Sequence, residues 1–360
     1  MTTLPVQEIC LKSDGGRIVR YIENKPVNHS TIQRLLSLSA EANQWSNFGP
    51  VSRLLEEKLE EVLGVPGELR VIACSNATVA LHTLVAMHQH LQGRPLRWIS
   101  SSFGFYSSID GILQSAAISD CDQNGMLERS SLDPEAFDGM VITNIFGNFQ
   151  DLSHYHEYAK KHRKIVLIDG AMNFQSGGRM ANECISLHHT KPWGFGEGGC
   201  AIVEREHSEL FRDMLAFGHH SSDAPINRLA SNGKISDIAS AYLLMRLEDL
   251  QKFRNEYQFQ FRRIARIGGQ LGLSILSGDG PHPGIPANVP ILFPGPVNLP
   301  LNSKIPVRKY YFPLANTPIA VDIYRRIVNI PCHSEMARFS DLEIQDLLIN
   351  LLAQFSPVPT

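Results

Sequence analysis

Between residues 70 and 204 short apolar runs and helix-patterned segments take turns, and this alternation is what most limits the fold. The strand-like runs are 70-RVIAC-74, 97-RWISS-101, 139-GMVITNIF-146, 164-KIVLID-169 and 199-GCAIVE-204. Helical patterns fall at 78–91, 105–115, 151–162 and 206–217. Strands joined through helices cannot fold back as tight hairpins, so they lie mostly parallel with helices covering both faces. The expected class is α/β: a large domain with a mostly parallel mixed sheet flanked by helices, followed by a smaller C-terminal α+β domain.

The flanking segments suggest the boundaries. Residues 1–46 read as an N-terminal arm with one helix around 29–43. In 51-VSRLLEEKLEEVLGV-65, Leu55, Leu59, Val62 and Leu63 share one face opposite Glu and Lys, an amphipathic helix ending at Gly64. A long helical pattern covers 237–267, and a Pro/Gly-rich connection covers 278–300. Helices are expected at 319–330 and at 340–352, the second opened by a Ser340/Glu343 capping box. The large domain is accordingly placed at 47–245 and the small one at 246–360.

Composition excludes several function classes. A net charge of −3 with no basic run argues against nucleic-acid or membrane-surface binding. No apolar stretch is long enough to span a bilayer, and the first 20 residues carry no signal-peptide core. The six cysteines (Cys10, Cys74, Cys121, Cys184, Cys200 and Cys332) are scattered, without a Cys-x-x-Cys. Buried, reduced thiols and a cytoplasmic location are expected. The pairs His188-His189 and His219-His220 lack acidic or Cys companions at ligand spacing, so no metal site is expected.

The chemistry concentrates in 186-SLHHTKPWGFGEGG-199, where Lys191 stands between a Ser/His/Thr-rich approach and a glycine-rich exit. Asp169 closes an apolar run 22 residues earlier. A lysine for a Schiff base and a carboxylate for a basic ring nitrogen suit pyridoxal phosphate (PLP). Alone, such a lysine reads as surface charge and such an Asp as a turn residue. The phosphate would sit where 70-RVIAC-74 passes into 75-SNATVALHTLVA-86, at the N–H groups of Ala77 and Thr78, with Asn76 or Ser75 as an ordinary cap in the plainer reading. Gly194-x-Gly196-x-x-Gly199 spells the dinucleotide fingerprint. A strand-like run follows it rather than a helix, so the glycines read as room for backbone passing behind the lysine.

These segments resemble the PLP-dependent sugar-nucleotide aminotransferases of the DegT/StrS family, which have the aspartate-aminotransferase-like fold. The likeness runs in order over nearly the whole chain, through 46-SNFGPVSRLLEEKLEEVLGV-65, SNATVAL, 102-SFGFYSSIDGILQSAA-117, 143-TNIFGNFQDL-152, IDGAMNF, SLHHTKPWGFGEGG, 231-SNGKISDIASA-241 and 329-NIPCHSEM-336. The resemblance implies that Lys191 binds PLP, that Asp169 pairs with the ring nitrogen and that Phe103 stacks on the ring. It implies that Asn76, Ala77, Thr78 and Ser186 hold the phosphate. Asn232 would reach the phosphate of a neighbouring subunit, making a homodimer with shared active sites. Lys234, Tyr311 and His333 are candidate substrate-binding residues.

Two positions depart from the family pattern. Met172 stands where Gln or His is usual, and a thioether cannot donate to the ring phenolate, so that contact is lost or passes to Asn173. Ala77 replaces a glycine, which asks for a negative φ. The implied reaction moves an amino group from glutamate or glutamine to a keto group of a nucleotide-linked deoxysugar. Amination of a keto-cyclitol or similar ketone, and a non-catalytic PLP-binding protein, are the alternatives.

Overall fold

The computed structural model describes residues 19–218, 229–276, 278, 280–300 and 303–355. The start of the arm, Cys10, the His219-His220 pair and Arg228 lie outside them. Helices α1 (His29–Ala42) and α2 (Pro50–Leu63) come first, α1 capped by the Asn28 side chain on Thr31 N–H and α2 stopping at Gly64. Strand β1 (Leu69–Cys74) leads into α3 (Ala77–Gln92), and β2 (Trp98–Ser101), β3 (Phe103–Gly104) and β4 (Ala117–Ser119) follow. Then come β5 (Gly139–Thr143), α4 (Ser153–His162), β6 (Ile165–Asp169), β7 (Glu183–Ser186), β8 (Gly199–Glu204) and α5 (Ser208–Leu215).

Seven of these strands form one sheet in the order β1-β8-β7-β6-β5-β2-β4. Neighbours from β4 to β7 are parallel, while β8 runs antiparallel to both β7 and β1. Alternate residues serve opposite faces, as the two-residue strand period requires. Val141 and Leu167 pack with Leu81, Leu84 and Val85 of α3, whereas Met140, Ile142, Val166 and Ile168 pack with Tyr155 and Ala159 of α4. Both faces are apolar, so the strands read as continuous hydrophobic runs. The mostly parallel mixed sheet flanked by helices is as expected.

Strand β1 is an edge strand, and α2 closes that edge. Glu56 and Glu60, one helical turn apart, accept the outward N–H groups of Ala73 and Val71, each at 3.0 Å. Spacing of four on a helix thus meets spacing of two on a strand. Glu56 also takes both amino groups of Arg212 from α5, at 2.9 and 2.6 Å. The Arg212 guanidinium lies 5.1 Å from the Phe48 ring centroid. A buried carboxylate with this many donors fastens α2, α5 and the sheet edge together.

The fold departs from expectation in three places. The pattern at 237–267 is two helices, α6 (Asp237–Glu248) and α7 (Leu250–Gln270), broken at Asp249. Helix α6 packs on α1 and α2, while α7 packs on the C-terminal elements, and one straight helix cannot face both. After α7 come β9 (Ser274–Ile275), β10 (Asn288–Leu292), β11 (Phe312–Pro313), α8 (Pro318–Arg326), β12 (Ile327–Pro331) and α9 (Asp341–Leu352). The helical reading of 319–330 therefore holds only to Arg326, because Ile327–Pro331 is buried throughout and pairs with β10 in a three-stranded antiparallel sheet, β12-β10-β9. The expected helix at 105–115 is instead two 3-10 turns, Tyr106–Ser108 and Gly111–Leu113. Gly111 has φ 58°, and a Cβ there would stand 2.7 Å from the His82 ring, so close packing on α3 overrides helical propensity. The Ser340/Glu343 capping box on α9 is present as read.

Removing Glu56 leaves the buried Arg212 with only the exposed Glu209 carboxylate, 3.8 Å away, and Ala73 N–H without an acceptor. Glu56→Ala is expected to cost about 3–5 kcal/mol in urea unfolding. Glu57→Ala, on the exposed face of the same helix, should stay within about 0.5 kcal/mol. Equal effects would show that the edge closure carries no stability.

Candidate active site

Ligands of open α/β sheets bind beyond the carboxyl ends of the parallel strands. Here those ends carry Thr143, Asp169 and Ser186, with Asp169 in register with Thr143, and Ser186 opposite Gly199 of β8. Cys74, the last residue of β1, faces Gly199 from the other side. A Cβ on Gly199 would lie 2.3 Å from the Asn76 carbonyl carbon and 2.4 Å from the Ala77 nitrogen. Only glycine lets the exit of the lysine loop touch the start of α3. Gly199 begins a strand, so the glycine triplet shapes this contact and is not a dinucleotide site.

Helix α3 offers an anion cradle. The Asn76 side chain accepts Val79 N–H at 2.9 Å, and the Asn76 carbonyl accepts Ala80 N–H at 3.1 Å. The N–H groups of Ala77 and Thr78 have no intrahelical acceptor at this end, where the helix dipole is positive. Ala77 has a negative φ, as its substitution for glycine requires. Ser75 N–H donates to Gly233 O at 2.8 Å, which lays segment 232–234 beside the cradle. Asn232 is exposed; its side-chain oxygen accepts from Lys234 Nζ at 2.6 Å, and that amine lies 4.7 Å from the Phe217 ring centroid. Within one chain neither residue contacts Lys191 or Asp169.

Asp169 is 3% exposed, and among the described residues its carboxylate accepts only Ala171 N–H, at 3.1 Å, and the more distant Cys184 thiol, at 3.9 Å. Burial pushes its carboxyl above the usual range, against the pull of the Ala171 N–H and of Lys191. The Lys191 amine points at the Met172 sulfur, 2.7 Å away. Burial lowers its ammonium to about 8, with Asp169 opposing. The two charges attract one another but make no contact ion pair. Thr143, on the same sheet face as Asp169, keeps a buried hydroxyl without a partner.

Phe103 is fully buried and shares an apolar cluster with Met172 and Tyr311, its ring centroid 6.0 Å from that of Tyr311. Tyr311 lies edge-on to Phe146 at 4.9 Å, and burial with the nearby Asp169 charge holds its phenol protonated. Ser186 is buried; its hydroxyl accepts His188 N–H at 3.3 Å and its carbonyl accepts the Trp193 indole at 2.7 Å. Asn173 does not take over the place of Met172, since its amide donates to Glu183 at 3.0 Å beside Arg179. His333 bonds the Arg20 carbonyl at 2.9 Å and lies edge-on to Tyr257, away from the lysine.

Three residues of this region have no local signal in the sequence. Lys25 donates to carbonyls of the lysine loop from 166 residues away, and Glu23 and Arg246 join it. Only the folded chain brings them there.

The unmatched groups here are two helix N–H groups, a hydroxyl, a buried carboxylate and a depressed amine. They match the phosphate, ring nitrogen and aldehyde of PLP, and the residues present fit that cofactor. Without a cofactor, the Lys191 ammonium destabilises the fold. Its folded value near 8 lies below the ordinary 10.5, so its contribution is full above 10.5 and lost as pH falls through 8. Relative to Lys191→Met, the wild-type apoprotein should gain about 3 kcal/mol in urea unfolding between these two pH values. Parallel stability profiles would mean that the amine titrates like an exposed one.

Known proteins resemble this chain in sequence and in fold. Residues 27–272 match the DegT/DnrJ/EryC1/StrS aminotransferase family. A Mycobacterium tuberculosis relative, Protein MT3510, is 31% identical over 59% of this chain and 56% of its own length, so the chain spans little more than half of that relative. The dTDP-4-amino-4,6-dideoxy-D-glucose transaminase of Shigella dysenteriae is 23% identical over 82% of this chain and 88% of its own. In fold, Helicobacter pylori PseC, an aminotransferase involved in the biosynthesis of pseudoaminic acid, superposes with a TM-score of 0.78 at 18% identity, covering 94% of this chain and 100% of that one. The match over residues 27–272 covers most of the sheet, the cradle, Asp169 and Lys191, and the chain belongs to the DegT/DnrJ/EryC1/StrS aminotransferase family.

Proposed function

We propose that this chain is a PLP-dependent aminotransferase that passes an amino group from glutamate or glutamine to the keto carbon of a nucleotide-linked deoxysugar. The observation that carries the reading is the depressed, buried Lys191 amine on the same sheet edge as Asp169 and the open end of α3. The activity named for the Shigella relative, matched along most of both chains, supports a nucleotide-sugar acceptor.

Bound there, PLP supplies an aldehyde carbon and an electron sink. The Lys191 amine, with its proton held to about pH 8, is neutral in a useful fraction near neutral pH and acts as nucleophile. Once released, the same amine takes and returns the proton at the donor carbon. The Asp169 carboxylate holds a proton on the ring nitrogen. Ala77 and Thr78 N–H groups, with Ser186, bind the phosphate, and Phe103 excludes water from the ring face. Met172 offers the amine a weak sulfur acceptor in place of a hydrogen-bond donor for the ring oxygen.

The reading is tested on protein loaded with PLP, reduced with borohydride and mapped by peptide mass. Lys191 should carry the label, and a panel of nucleotide-linked 3-keto and 4-keto sugars with glutamate should contain an acceptor. A label on another lysine rules out the site, and a panel without turnover on Lys191-labelled protein points to the cyclitol or non-catalytic alternative.

The exposed Asn232 and the half-buried Lys234 bonded to it support a homodimer with shared sites, in which this segment crosses to the partner. Mixed Lys191→Ala and Asn232→Asp chains should then form heterodimers with one intact site, about half of wild-type turnover. Subunit exchange without recovered activity would mean that each site takes both residues from one chain.

A further inference from the structure

We infer that Lys25, in the segment preceding α1, is a positioning residue that sets the Lys191 amine by tying down the loop between β7 and β8. Its ammonium donates to the carbonyl oxygens of His189, Lys191 and Gly194, at 2.7, 2.5 and 2.5 Å. These acceptors lie before, on and after the lysine, and all three ammonium donors are used. Arg246 of α6 takes a fourth carbonyl, that of Pro192, at 2.8 Å through its Nε. The far end of the same guanidinium donates to Glu23 at 2.6 Å, and Glu23 also accepts the Tyr257 hydroxyl at 3.2 Å. Arg246 lies 4.0 Å from the Phe253 ring centroid.

Lys25, Glu23 and Arg246 are each less than a tenth exposed. Burial and the Arg246 charge pull the Lys25 ammonium down to about 7, and the groups that offset this cost for the two cations are one carboxylate and four carbonyls of a single loop. The consequence falls on one atom. With the backbone held on both flanks, the Lys191 amine keeps only its side-chain torsions and is delivered beside Met172. Among the described residues the Lys25 ammonium has no other acceptor, so this loop is its sole load.

The inference rests on the proposed covalent role of Lys191, and two readouts separate them. Amide hydrogen exchange of the apoprotein reports on the loop whatever binds there. The pH midpoint of the visible absorption band of PLP-loaded protein reports on the pose of the amine. Lys25→Met keeps the length of the stem and removes the ammonium. Exchange in a peptide covering 188–195 should speed up by roughly tenfold while peptides of β5 and β6 stay protected. The absorption midpoint should move by at least about half a pH unit. Should Lys25→Met fail to fold, Glu23→Gln, which keeps an acceptor for Arg246 and Tyr257, is expected to shift both readouts the same way by less. Unchanged exchange overturns the inference. Faster exchange with an unmoved midpoint overturns it as well, since Lys25 would then prop the loop without bearing on the amine. If wild-type protein is labelled at Lys191 while the variant midpoint stays fixed, this inference alone fails. If wild-type protein is labelled elsewhere, the proposed function fails and the positioning role falls with it.

Discussion

The backbone of Gly199 lies against Asn76 and Ala77 with no room for a Cβ, and the geometry of the candidate site depends on that contact. It is possible because β8 is inserted antiparallel between β1 and β7, so that its first residue meets the last residues of both neighbours. The lysine loop must therefore enter from Ser186 and leave at Gly199, beside the open end of α3. A phosphate-sized anion at Ala77 and Thr78 and an amine at Lys191 become neighbours as a result of strand order. Asp169 joins them because β6 lies next to β7 in the same parallel set.

Buried charge is used in two ways. Glu56 with Arg212, and Glu183 with Arg179, are paired and hydrogen-bonded on several sides, and they fasten elements together. Burial raises the carboxyls of Glu56, Glu183 and Asp169 alike, but Asp169 and the half-buried Lys191 lack a contact ion pair to offset it. Well-satisfied pairs stabilise a fold, and poorly satisfied ones are held ready for a ligand. The Lys25, Glu23 and Arg246 strap is hydrogen-bonded on several sides, although burial and the Arg246 charge pull the Lys25 ammonium down to about 7, and it acts by holding the loop that carries Lys191.

Met172 shows where local reading stops. From the sequence a thioether at this position only removes a donor, and Asn173 stands nearby as a replacement. In the fold Asn173 is drawn off to Glu183, while the sulfur faces the Lys191 amine and packs with Phe103 and Tyr311. Tyr311 joins the Asp169 side of the site, whereas His333 turns to Arg20 and Tyr257. Neighbours in sequence point in different directions once their strands and turns are set.

Much of the fold was legible because its signals are local: apolar runs for β1, β5, β6 and β8, caps at Asn76 and Ser340, and a glycine ending α2. The placing of Asp169 at a strand end and of Ala77 at a helix start was legible too, since each lies at the end of an element whose period is readable, whereas Lys191 lies inside the loop between β7 and β8 and was marked by its motif alone. Tertiary structure decided what depends on long-range packing. It broke 237–267 at Asp249 because the halves serve different neighbours, replaced the helix at 105–115 with turns under His82, and made 327–331 a strand by burying both faces. It also brought Lys25 to Lys191 across 166 residues, a contact that no local periodicity encodes, because the acceptors are backbone carbonyls that every residue carries.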